Sequence, residues 1–92
     1  MIVRIASEGQ FRLGDEVQTK LNELDNEAVA AVEQGDESRF QELFNQMIAL
    51  VEQDGEPVAD DELVESDVII PPKDLTFAEA KGEFTGEGIV PD

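Results

Sequence analysis

The chain has 92 residues, and its 23 acidic side chains against 6 basic ones give a formal net charge of −17. A chain of this length forms one small domain that buries little more than about 60% of its unfolded surface, so a partner or a second copy would add to its stability. The charge opposes contact with phosphate groups, which argues against nucleic acid and anionic membrane as direct ligands.

Acidic side chains occur in every segment, but the second half of the chain is richer in them. Residues 1–51 carry four basic and ten acidic side chains, a net charge of −6, whereas residues 52–92 carry two and thirteen, a net charge of −11. Dense carboxylates keep proteins soluble in a high-salt cytoplasm, and they can also attract a basic partner. The spread over all segments favours the first, halophilic-like interpretation.

Several residue types that carry chemistry are absent. The chain has no Cys, His or Tyr, which excludes thiol and Ser–His nucleophiles, Cys or His metal centres and phenolic acid–base groups. No apolar run approaches the roughly 20 residues that span a bilayer, and the first five residues lack the long apolar core of a signal peptide. We therefore expect a cytoplasmic, non-enzymatic protein with no cofactor and no catalytic residues.

Residues 1–13 predict a β-hairpin. In the first strand Val3 and Ile5 flank a polar residue, so one face of the strand can be buried. Gly9 can adopt the positive φ that a tight turn requires, and the apolar alternation resumes after it.

Residues 15–54 predict a helical hairpin, with helices near 15–34 and 37–53. Apolar side chains recur every three or four positions in both stretches, which places them on one face of each helix. These positions are Val17, Leu21, Leu24, Ala28, Ala31 and Val32, and then Phe40, Leu43, Phe44, Met47, Ile48 and Val51. The short connection requires the two helices to run antiparallel.

Capping residues predict where these helices begin and end. Asp15 is predicted to cap the first helix, with Gln18 three residues later as in a capping box. Gly35 is predicted to end that helix in a left-handed conformation, and Asp36 to cap the second one.

Residues 55–92 predict an acidic return segment with a strand near 67–70 and a short helix near 76–81. The strand is apolar without a break, which fits a central strand or an edge strand hidden beneath the helices. Pro71 and Pro72 end it, because proline has no N–H group to donate to a neighbouring strand.

Thr76 and Glu79 fit a capping box and start the short helix. Taken together, these elements predict an α+β fold in which a small antiparallel sheet packs against a long antiparallel two-helix hairpin.

The carboxylates of residues 60–74 allow three interpretations: a metal site, acid–base catalysis or a solvated surface. A calcium loop needs several oxygens around a sharp glycine turn, and no such glycine follows Asp60, Asp61 and Glu62. A hydrolase needs two carboxylates that face each other across a cleft, whereas these lie on polar faces. We therefore predict no metal ligand here and a structural strand with an acidic rim, which is halophilic surface or part of a docking face.

Four segments then occur in a characteristic order: MIVRIASEGQF, LNELDNE, DDELVESDVIIPPKDLT and EGIVPD. In this order they resemble the PspA-associated protein family (PspAA), and the likeness covers nearly the whole chain. The most telling residues are Asp60 to Leu63, Ser66, Asp67, Ile69 to Pro72, Asp74 and Thr76. The resemblance implies one domain over residues 1–92.

The resemblance also implies a function. Proteins of this family are companions of phage-shock-protein-A-like proteins, which are long coiled-coil, ESCRT-III-like polymers that act at stressed membranes in bacteria and archaea. It thus predicts an accessory or regulatory stress-response protein that is recruited to the inner face of the membrane through its partner without inserting. The predicted partner-binding residues are Asp60, Asp61, Glu62, Ser66, Asp67, Pro71, Pro72 and Asp74.

Two alternatives stay open beside this prediction. One is a structural homodimer, formed through the helical hairpin or through the edge of the hairpin strand. The other is a small carboxylate-dependent or metal-dependent enzyme, for which the acidic clusters are the only support.

Overall fold

The computed structural model describes residues 1–6, 8–59, 61–62, 64–84 and 88. Over these residues the chain forms four strands and three helices, an α+β fold. The elements in chain order are β1 (Ile2–Ile5), β2 (Gly9–Arg12), α1 (Asp15–Gln34), α2 (Glu37–Asp54), β3 (Glu56–Pro57), β4 (Val68–Ile70) and α3 (Phe77–Glu83). No helix within these ranges is long and apolar enough to cross a membrane.

The sheet is mixed, and the prediction of an antiparallel sheet is wrong in this respect. Its strand order is β3-β2-β1-β4, with β2 antiparallel to both β1 and β3. Strand β4 lies parallel to β1, with Val3 beside Val68 and Ile5 beside Ile70. Between β3 and β4 the chain passes from one edge of the sheet to the other, so it can enter β4 in the direction of β1.

The helical hairpin covers one face of the sheet, and the core lies between them. Val3, Ile5, Val68 and Ile70 are buried on this inner face and belong to one cluster with the apolar faces of α1 and α2. Alternation along the strands turns the neighbouring residues to the opposite, outer face. The strands thus supply the third surface that two amphipathic helices need for burial.

Four phenylalanines connect α3 to this core. The ring of Phe40 lies 5.6 Å from that of Phe44, 5.0 Å from that of Phe84 and 5.9 Å from that of Phe77, measured between centroids. Because Phe77 begins α3 and Phe84 follows it, the short helix is held against α2 from both of its ends. The capping box predicted for Thr76 and Glu79 is confirmed.

In the helical hairpin, two of the three predicted caps agree with the structure. Gly35 has a φ of 71° and ends α1, and the Asp36 side chain accepts a hydrogen bond from the Arg39 N–H at 3.0 Å. The predicted cap at Asp15 is wrong, because Gly14 occupies the capping position and contributes no side chain. Asp15 is instead the first helical residue, where its negative charge interacts favourably with the positive end of the helix dipole.

Strand β4 lies at the edge of the sheet, so of the two predicted arrangements the edge strand beneath the helices agrees with the structure and the central strand does not. Val68 and Ile70 are buried against the helices, whereas Ile69 between them is 60% exposed on the outer face. The helices therefore hide only one face of this edge strand.

Candidate interaction surfaces

In the connection between β3 and β4, residues 64–66 lie on the outer face of the sheet and are held there by a polar side chain. Gln10 in β2 projects its side chain from this face, and its Nε2 donates hydrogen bonds to the Val64 carbonyl at 3.1 Å and to Ser66 Oγ at 2.7 Å. A connection without regular structure is thus fixed by side-chain hydrogen bonds.

The start of β4 is fixed by a reciprocal pair of hydrogen bonds. The Asp67 N–H donates to the Ile2 carbonyl at 2.7 Å, and the Ile2 N–H donates to Asp67 Oδ2 at 2.8 Å. Nearby, Arg12 and Glu62 form an ion pair at 3.1 Å, in which both side chains are about half exposed. Asp67 and Glu62 therefore bind groups of their own chain.

The predicted partner-binding residues fall into two groups in the structure. Glu62, Ser66 and Asp67 make the internal contacts described above, and the exposed Asp61 lies beside them. Asp60 lies outside the described residues. The remaining members of the set are Pro71, Pro72 and Asp74, which together line a groove.

This groove, hereafter the β4–α3 groove, lies between strand β4 and helix α3 and encloses about 590 Å³. Apolar groups form much of its wall, and Ile69 is the most exposed large apolar side chain among the described residues. Its lining consists of Ala6, Ile69, Pro71, Pro72, Asp74, Leu75, Glu79 and Glu83. Isolated exposed apolar residues are ordinary, but an apolar groove with a polar rim is typical of a binding surface.

The charged side chains that line the groove are all acidic. Asp74, Glu79 and Glu83 contribute three carboxylates, and the lining contains no Lys or Arg. The Glu79 carboxylate accepts hydrogen bonds from the N–H and hydroxyl groups of Thr76 within the capping box. Asp74 and Glu83 form no ion pair within the described residues, so they are the carboxylates that can meet a cation from outside.

The two lysines nearest the groove in sequence contact other parts of the protein. Lys73 Nζ lies 2.8 Å from a Glu8 carboxylate oxygen and 3.4 Å from one of Glu52. The Lys73–Glu8 hydrogen bond lowers the pKa of the Glu8 carboxyl and raises the pKa of the Lys73 ammonium group. Lys81 Nζ lies 5.2 Å from the centre of the Phe77 ring, a cation–π contact.

A second groove, hereafter the hairpin groove, lies between α1 and α2 and encloses about 410 Å³. Leu24 and Leu50 form its apolar floor, and both are only partly buried although they pack against the core. Its rim is polar and of mixed charge, with Lys20, Glu23 and Asp54 among its members.

Asp25 is a buried carboxylate that sequence reasoning missed. It is fully buried in α1 although Asp is rarely buried. Gly88 lies directly against it: a Cβ atom at position 88 would fall 2.7 Å from Asp25 Cγ. The signal was present in the helical spacing, because Asp25 follows Leu21 by four positions and precedes Ala28 by three, and so lies on the apolar face.

Within residues 1–6, 8–59, 61–62, 64–84 and 88, no group of three or more acidic side chains converges in a way that could hold a metal ion.

These features define a small acidic α+β domain with a mixed sheet, a helical hairpin and apolar surface grooves. The family model described as PspA-associated protein matches residues 1–92. The chain belongs to this family, PspAA, so the resemblance drawn from its sequence is confirmed over the whole chain. No curated protein and no solved structure gives a significant match.

Proposed function

We propose that this protein is a non-enzymatic accessory protein that binds a PspA-like coiled-coil protein and regulates its action at stressed membranes. Membership of the PspA-associated family supports an association of this kind. The protein would act in the cytoplasm and reach the inner face of the membrane through its partner.

The single observation that carries the proposal is the exposure of Ile69 beside an apolar groove. In a chain with a net charge of −17, a large apolar side chain that is 60% exposed stands out against a surface of carboxylates. Removal of such a side chain from water is favourable at a protein interface, whereas the surrounding charge opposes non-specific association.

The direct test is a binding titration between the purified protein and the PspA-like protein of the same genome, at low and at molar KCl. Salt screens charge but leaves apolar contacts in place, so a complex that includes Ile69 is expected to persist in molar KCl. Absence of binding at both salt concentrations would contradict the proposal.

The hairpin groove supports a second candidate function, a structural homodimer. Its floor of Leu24 and Leu50 is partly exposed and would be covered if two hairpins packed together. Repulsion between two chains of net charge −17 opposes this association at low salt, so a dimer should form only at high salt.

Sedimentation of the protein alone distinguishes the two candidates. A dimer of the 10.1 kDa chain that appears in molar KCl and is abolished by Leu50→Glu would support the homodimer. A monomer at every salt concentration would exclude it and would leave binding to the PspA-like protein as the function to test.

A further inference from the structure

We infer that the β4–α3 groove is the docking site of the partner, and that it takes a protein segment in which an apolar side chain is flanked by lysine or arginine. The inference rests on the proposed function, because it names the surface and the chemistry through which the PspA-like protein would be bound. Among the grooves formed by the described residues, it is the one that combines an exposed isoleucine with an acidic rim.

The floor of the groove supports the expectation that the partner segment carries an apolar side chain. Ile69 projects from the outer face of β4, and Pro71 and Leu75 continue the apolar surface from the end of the strand toward α3. Pro71 and Leu75 are themselves buried, so their positions are fixed by packing. Ile69 is the apolar residue of the floor that is exposed to water. An incoming apolar side chain would cover Ile69 and bury surface without any rearrangement of the core.

The charges at the rim of the groove support the expectation that the partner segment carries lysine or arginine. Asp74 and Glu83 have no cation within the groove, and Lys73 is held by Glu8 and Glu52 on another side of the molecule. A partner that brings Lys or Arg to this rim therefore meets carboxylates that form no ion pair with the part of the chain that the structure describes. Charge complementarity of this kind fixes orientation and raises the association rate.

The same charges decide against other occupants. A second copy of this chain would bring a net charge of −17 to an acidic rim, and an anionic lipid surface would bring phosphate groups to it. Both are repelled, whereas a basic and apolar segment satisfies the floor and the rim together.

Two variants test these two expectations separately in the titration with the PspA-like protein. Ile69→Thr keeps a β-branched residue in the strand and removes apolar surface, so we expect about tenfold weaker binding at both low and molar KCl. The double variant Asp74→Asn with Glu83→Gln keeps side-chain size and removes charge, so we expect about three- to tenfold weaker binding at low KCl and little change in molar KCl.

Matched controls carry equivalent changes elsewhere on the surface. Ala30→Ser alters an exposed apolar residue on α1, and Glu33→Gln with Glu37→Gln removes two exposed charges from the helical hairpin. Both controls are expected to bind as the wild-type protein does. Circular dichroism of every variant verifies that the fold is retained, so that a loss of binding reports on the surface.

The outcomes of these titrations distinguish the docking-site inference from the proposed function. Weaker binding by the groove variants and unchanged binding by the controls would support the inference. Unchanged binding by both groove variants would overturn it and leave the proposed function standing. No binding by the wild-type protein would overturn both.

Discussion

The helical hairpin and the return segment after it are built by different physical means. Over residues 15–54 the structure rests on a repeated apolar face, with large side chains such as Phe44 and Met47 completely buried. In the described part of the return segment, individual polar contacts such as the hydrogen bonds of Asp67 to β1 and the ion pairs of Lys73 act beside buried side chains such as Phe84.

This difference separates a structural scaffold, the helical hairpin, from the return segment, which carries a candidate binding surface. Burial of a periodic face depends on many side chains at once, so the hairpin can change its exposed residues freely and still fold. The return segment uses its backbone and side chains to hold a particular shape on the sheet, and it carries the exposed Ile69. The comparison predicts large losses of stability from single changes in the buried core, to which both regions contribute, and smaller, local losses at the exposed polar contacts of the return segment.

The largest effect is expected from Phe40→Ala. Phe40 is almost completely buried and contacts three other phenylalanine rings, so its truncation leaves a cavity in the core that also holds α3. We expect a loss of about 3–5 kcal/mol in the free energy of unfolding, measured by urea denaturation in molar KCl. Phe77→Ala serves as the comparison, since Phe77 is only partly buried, and a loss as large as that of Phe40→Ala would contradict this account.

The second-largest loss in the free energy of unfolding is expected at the contact between Gly88 and the buried Asp25. Gly88 has a φ of 81°, which alanine adopts only with strain, and a Cβ atom there would collide with the carboxylate. We expect Gly88→Ala to lower the free energy of unfolding by about 1–3 kcal/mol. Gly82→Ala is the matched control, because Gly82 lies in α3 with no atom near its would-be Cβ; there we expect stabilisation of about 0.5–1 kcal/mol.

A smaller, local effect is expected from Asp67→Ala. The change removes the acceptor for the Ile2 N–H in an exposed position, which should lower the free energy of unfolding by about 1 kcal/mol. Hydrogen exchange of the Ile2 amide should become faster than in the wild-type protein, while amides in α1 and α2 keep their protection. Asp61→Ala removes a nearby exposed carboxylate and should leave both measurements unchanged; equal effects of the two variants would contradict the assigned role of Asp67.

The smallest effect is expected from Lys73→Met, and its size depends on pH. The pKa of Glu8 is lowered from an ordinary 4.5, so its pairing stabilises the fold above about that pH and is lost as pH falls through the lowered pKa. The pKa of Lys73 is raised from 10.5, so its pairing is present below that pH and is lost as pH rises through the raised pKa. Between these limits, Lys73→Met should lower Tm slightly at low salt.

Thermal scans against pH and KCl test this expectation. The difference in Tm between wild type and Lys73→Met should shrink as pH falls through the lowered pKa of Glu8. It should also shrink as KCl approaches molar concentration, because the groups are exposed and salt screens them. Lys20→Met is the control, since its ion pair with Glu16 is longer at 3.9 Å and more exposed. A Tm difference that is constant across pH would contradict the ion-pair interpretation.

The sequence predicts the hairpin well because helical periodicity and capping are local signals. The spacing of apolar residues in α1 and α2 repeats over several turns, and Gly35 and Asp36 mark the connection without help from the rest of the chain. The predicted cap of α1, Asp15, lies one residue after the observed cap, Gly14, because both residue types are acceptable at that position.

The return segment is harder to predict because its structure depends on distant residues. Three consecutive apolar residues, Val68, Ile69 and Ile70, give no alternation that would reveal which side chain faces water. The direction of β4 depends on its pairing with β1, more than 60 positions earlier, and no local pattern encodes it. The groove beside α3 depends in turn on where β4 lies, so Pro71, Pro72 and Asp74 could be named as candidates but not assembled into a surface.

We propose that the return segment carries the binding surface and that the helical hairpin supports it. The most direct test is a methyl NMR titration of the isotope-labelled protein with the unlabelled PspA-like protein. The account predicts that the methyl signals of Ile69 and Leu75 shift or broaden on binding, while those of Leu24 and Leu50 in the hairpin groove stay in place. Perturbation of Leu24 and Leu50 with no change at Ile69 would contradict the account and would move the docking site to the helices.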